Sequence, residues 1–107
     1  MTPSSAEEWF AARTTGAPEA LRRRATAFFQ QDGSPELPTR LSLAGQAALD
    51  AAIRGGTGRS AALDLLAADA LITLALLAGV ERDPANLGRA ASALRVHAST
   101  SADSPRD

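Results

Sequence analysis

Residues 60–80, SAALDLLAADALITLALLAGV, decide how the rest of this chain is read. At about 100° per residue, Leu63, Leu66, Ala67, Ala70, Leu74 and Leu77 fall within one band, the i, i+3, i+4, i+7 spacing of a buried helical stripe. Leu65, Ile72 and Leu76 form a second band on the far side, with Asp69 at its edge. Asp64 and Ala68 lie between the bands, with Ala75 beside them. A helix with two apolar faces must be covered on both. This one is expected to be the central helix of a bundle, or to offer its second face to another chain. Its many alanines let neighbouring backbones approach closely.

A membrane span competes with that reading. The uncharged run 70–80 gives only about 16 Å of helix, whereas the hydrocarbon core needs about 20 residues. Asp64 and Asp69 interrupt it upstream, and Glu81, Arg82 and Asp83 end it. The sequence therefore argues against a span.

Composition points the same way as the central helix. The chain has 107 residues, the length of one small domain. It contains two valines, two isoleucines and no tyrosine, a palette that favours helix over strand. An all-α fold is expected, a bundle of about five helices around the doubly apolar one. Much of the apolar content is alanine, so the core stabilises modestly, and association with another chain is a common remedy.

The net charge of −1 gives no argument for nucleic acid or an anionic membrane as partner. No cysteine is present, which removes disulfides, thiolate zinc sites and thiol catalysis. The N-terminus MTPSSAEEWF has neither a basic nor an apolar signal region, so a cytoplasmic protein is expected. All eleven cations are arginine, which reads first as biased genome composition.

Breakers divide the chain. Ser5 and Glu8 form a capping-box pattern opening a first helix, which Gly16 ends. A second helix runs from Pro18 to about Gln31, with the stripe Leu21, Ala25, Phe28 and Phe29. The stretch DGSPELP, residues 32–38, reads as a connection between an N-terminal hairpin (4–32) and the C-terminal helices (39–98). A third helix, 40–54 with Thr39 as its cap, carries Leu41, Gly45, Ala48, Leu49 and Ala52 on one side. Asp83-Pro84 marks the start of a fifth helix with the stripe Leu87, Ala91, Leu94 and Ala98. The tail 99–107 is polar and expected to be disordered.

Candidate chemistry is sparse. The turn RGGTGRS, residues 54–60, precedes a helix N-terminus, where the backbone around Gly56, Thr57, Gly58 and Arg59 can face an anion. It lacks the lysine and the preceding strand of a P-loop, and a helix-to-helix turn explains it. Asp69 is the candidate buried polar residue, against the plainer reading of a solvent-facing aspartate at the edge of the second band or one half of a structural ion pair. A buried carboxylate must be paired, hydrogen-bonded or protonated, and an arginine from another helix would serve. Asp64 suits the positive end of the helix dipole. The two aspartates stand about 140° apart on the helix, too far round to share a metal. His97 is the only histidine, with no nucleophile pattern beside it. The triplet Arg22-Arg23-Arg24, with Arg13, can form a basic edge, but most simply makes a solvated helix face.

No catalytic residue, metal site or cofactor is assigned from the sequence. The function it supports best is a non-enzymatic protein–protein interaction module, a self-associating or accessory subunit. Leu65, Ile72 and Leu76 are its interface candidates. Trp9 and Phe10 are further ones if the N-terminal hairpin stands away from the rest, and core residues against Phe28 and Phe29 if it does not. The alternative is a helical bundle holding an apolar small molecule, with Asp69 or an arginine as its polar anchor, or a small enzyme using Asp69.

Overall fold

The computed structural model describes residues 5–83 and residue 85. The fold is all-α. Among the described residues there are four helices and no strand: α1 (Ser5–Thr14), α2 (Glu19–Gln31), α3 (Leu37–Gly55) and α4 (Arg59–Arg82). The expected fifth helix, with His97, and the tail lie outside the described residues. Just past the end of α4, Asp83 Oδ1 accepts the Ala85 backbone N–H at 3.1 Å.

The breaks fall where the sequence puts them. Ala17 N–H closes the turn after α1 on the Thr14 carbonyl. Asp32 Oδ1 accepts the Ser34 N–H at 2.9 Å, a side-chain-closed turn after α2. Gly56, at φ 76°, follows α3 in a conformation that strains any L side chain.

One boundary differs. The third helix starts at Leu37 rather than at 40, with Glu36 before it and Pro38 inside its first turn. The first-turn N–H groups have no partner within a helix, so a proline there forfeits nothing. The Glu36 carbonyl already accepts the Arg40 N–H at 2.8 Å.

α3 and α4 form an antiparallel hairpin across the turn 56–58, and α2 packs against both. Phe29, Leu41 and Leu71 are the largest fully buried side chains; Phe10 and a set of alanines complete the core. On α3 the buried side is Leu41, Ala44, Gly45, Ala48 and Ala52, close to the expected stripe except that Leu49 is exposed.

α4 departs from its expected stripe. Leu66 and Leu77 are exposed, and Leu63 and Leu74 are half-buried. The buried face is the one between the leucine bands: Ala61, Asp64, Ala67, Ala68, Leu71 and Ala78. The reason lies on α3, whose facing side is built of alanine and glycine. Small residues against small residues let the two helices close to dense contact, which leucines would prevent.

Gly45 shows how close that contact is. A Cβ placed there would lie 2.7 Å from Ile72 Cγ1 and 3.4 Å from both Leu71 Cβ and the Ile72 backbone N. Gly45→Val is therefore expected to cost about 2–3 kcal/mol by pushing the hairpin apart, despite relieving the helix of a glycine. A urea titration checks this. Unchanged stability would mean that α3 and α4 do not pack at this register.

Candidate interaction surface

Three ion-pair knots, built on Arg24, Arg40 and Arg13, fix the helices. Arg24 of α2 reaches Asp64 of α4, which is 7 % exposed, and also approaches Ser60 Oγ at 3.4 Å. Arg40 of α3 is nearly enclosed. Its Nε donates to the Phe29 carbonyl at 3.1 Å, its Nη2 meets Glu7 Oε2 of α1 at 3.0 Å, and its guanidinium lies 3.8 Å over the Phe29 ring. Glu81 at the end of α4 accepts Trp9 Nε1–H and Arg13 Nη2–H, each at 2.9 Å. Those two hydrogen bonds, the tryptophan's first, hold the Glu81 carboxyl below its ordinary value. Each knot joins helices distant in sequence.

These knots correct several expectations. Asp69 is exposed, at the edge of the outer band of α4, and the buried carboxylate is Asp64. Because α4 opens at Arg59, Asp64 lies beyond the first turn, and its place is explained by Arg24 rather than by the helix dipole. The Arg22–Arg24 triplet is no basic edge: Arg24 is committed to Asp64, and Arg23 sits 3.6 Å from Glu19 on the same exposed helix face, a pairing worth little in water. Phe10 is a core residue, stacked on Phe29 with ring centroids 4.4 Å apart and planes 3° from parallel, and is unavailable as an anchor. Trp9 is half-buried beside it, with Arg13 stacked 4.3 Å over its ring. The N-terminal hairpin thus packs on the α3–α4 hairpin of its own chain.

The turn residues Gly56, Thr57, Gly58 and Arg59 are all exposed. Gly58 caps α4 without a side-chain hydrogen bond. Nothing beyond the helix start itself marks this turn for an anion.

What the fold leaves open is apolar. Leu65 is 53 % exposed, Ile72 39 %, and Leu76 47 %. On α3, Leu49 and Ile53 are exposed as well, Ile53 to 70 %. The contact between Gly45 and Ile72 fixes how the two helices face each other. Helical spacing then puts Leu49 and Ile53 on the same outer side of the hairpin as Leu65, Ile72 and Leu76. Leu66 and Leu77 open on the other flank of α4. By length and composition alone, α4 is also a helix that could cross a membrane, a test that the core helix of a soluble protein passes too.

A half-open groove of about 320 Å³ lies between α1 and α2, lined among others by Glu7, Phe10, Thr14, Arg22, Thr26 and Phe29. The charged groups there are Glu7 and Arg22, not Asp69. Glu7 Oε1 is shielded from solvent without a hydrogen-bond partner among the described residues. Sequence reasoning had no means to find this groove, since it arises from the angle at which two helices meet. Comparison of the chain with protein-family models, with curated proteins and with solved structures gives no match in any of the three.

Proposed function

We propose that this chain is a non-enzymatic helical protein–protein interaction module, a self-associating or accessory subunit that docks through the outer side of the α3–α4 hairpin. The observation that carries the reading is the exposure of Leu65, Ile72 and Leu76 together with Leu49 and Ile53 on one side. Apolar surface in water costs roughly 25 cal/mol per Å², and a contiguous patch of it on a small domain marks a binding surface more often than chance exposure. The ordered charged groups support the same reading from the other direction. Arg24 with Asp64, Arg40 with Glu7 and Arg13 with Glu81 each tie two helices together, a structural use that explains them without a reaction.

The double variant Leu65→Glu/Leu76→Glu tests this. Both positions are open, so the fold should be retained with stability changed by about 1 kcal/mol or less. Native mass spectrometry on gently purified protein should show the wild-type chain in a complex, with itself or another protein, and the variant as a bare monomer. A variant that still assembles, or one that unfolds, sinks the reading, the second because the face would then be internal.

One observation favours a second reading, a bundle that holds an apolar small molecule. The α1–α2 groove is lined by Phe10, Phe29 and Glu7, a residue with one shielded carboxylate oxygen, and its volume is at the lower end for ligand sites. A wild-type monomer carrying a small added mass in the same spectrum would favour it.

A further inference from the structure

We propose that the occupant of this face is a second copy of the chain, docked α4 against α4 in antiparallel sense; the proposal rests on the interaction reading above. Residues 84–107 are poor in large apolar side chains. Outside the described residues the chain's large apolar side chains are Met1, Leu87, Leu94 and Val96, against eight large hydrophobics exposed within them. Reach is limiting too. A helix over 84–98 would span about 22 Å, while Leu65 stands about 27 Å along α4 from Asp83. Folded back from Asp83, a helix of that length would not reach Leu65, which lies at the same end of the hairpin as Ile53. The tail STSADSPRD that follows offers no large apolar side chain to continue the cover.

The spacing of the face suits a copy of itself. Leu65, Asp69, Ile72 and Leu76 are separated by four, three and four positions. This is the seam spacing of paired helices, and it reads the same in both directions. A two-fold contact requires one patch to be complementary to itself. Turned about a point between residues 70 and 71, Leu65 comes opposite the partner subunit's Leu76, and Ile72 opposite the partner subunit's Asp69.

Charge selects the direction. Asp69 is the one ionisable side chain in this seam. A parallel pairing would set two Asp69 carboxylates side by side, and like charges in contact at an interface are costly. The antiparallel register places each carboxylate opposite an isoleucine at the open edge of the seam instead. A net charge of −1 per chain adds little repulsion between copies.

The absence of cysteine makes the register directly readable. Leu65→Cys and Leu76→Cys proteins are prepared separately, mixed in equal amounts and oxidised gently. Their covalent products are resolved by mass. The mixed 65–76 dimer should dominate, in excess of the half expected from random pairing, and each protein alone should give almost none. Leu66→Cys mixed with Leu77→Cys, on the other flank of α4, should give none either. Self-linked dimers from a single variant, equal linking on both flanks, or a chain that stays monomeric with no product overturns the proposal. The interaction reading survives that result if native spectra show a different protein bound to wild type and lost from Leu65→Glu/Leu76→Glu. It falls if no complex of either kind is found.

Discussion

Phe29→Ala is expected to remove about 3–5 kcal/mol of stability, the range for truncating a buried phenyl ring. Phe29 is 1 % exposed, and both faces of its ring are occupied. Phe10 of α1 stacks on one at 4.4 Å, so the Arg40 guanidinium, 3.8 Å from the ring centroid, must lie over the other. Truncation therefore opens a cavity where three helices meet. It also leaves an enclosed arginine that retains the residue 29 carbonyl and Glu7 but loses its flat support. A domain of this size shifts its melting temperature by roughly 4–8 °C per kcal/mol, so a loss on the order of 15 °C or more should be visible in a circular-dichroism melt. Phe28→Ala, at a half-buried neighbouring position, should cost clearly less. Near-equal melting of the two variants would mean that the Phe10–Phe29 stack is not the anchor of α1.

The contrast between Phe29 and the leucines of α4 shows what the residue pattern can carry. An all-α fold was readable because the chain offers so few β-branched and aromatic side chains, and the turns at Gly16–Pro18, at 32–36 and at 56–58 were readable because each depends on local backbone chemistry. The buried side of α3 was readable for another reason: Leu41, Gly45, Ala48 and Ala52 recur there at helical spacing along most of the helix. α4 defeats the same method. When leucine recurs on two sides, periodicity no longer says which side faces inward, and the answer depends on the alanine and glycine surface of α3 some twenty-five positions away. Asp64 and Asp69 were exchanged for a related reason. The helical wheel put Asp64 between two bands, but only the position of Arg24, forty positions upstream, makes that gap an interior. The outer band Leu65, Ile72 and Leu76 was legible as a face; that α3 extends it through Leu49 and Ile53 was not, because this follows from the register of the hairpin.

Arg24→Leu should then be among the most damaging single changes outside the apolar core, at about 2–3 kcal/mol, and it should cost more than altering its partner. The asymmetry follows from exposure. The Asp64 side chain is 10 % exposed and the Arg24 side chain 32 %. Without the guanidinium, a carboxylate is left in a face otherwise made of alanine and Leu71, with Ser60 one turn away as the nearest hydroxyl on the same helix. Without the carboxylate charge, Arg24 can turn its head to water and keep its stem on the surface. Asp64→Asn retains an oxygen that accepts from the guanidinium and should cost about 1 kcal/mol or less. Adding Asp64→Asn to Arg24→Leu should recover part of the loss, because a neutral amide is cheaper to leave without its partner than an ion. Urea titrations of the two single variants and the double form a cycle with a coupling on the order of 1 kcal/mol. If Asp64→Asn proves the more damaging change, the pair holds α2 to α4 through its charge, and the desolvation of the aspartate is not what makes it sensitive. A cycle with no coupling would separate the two residues altogether and leave the burial of Asp64 without its present explanation.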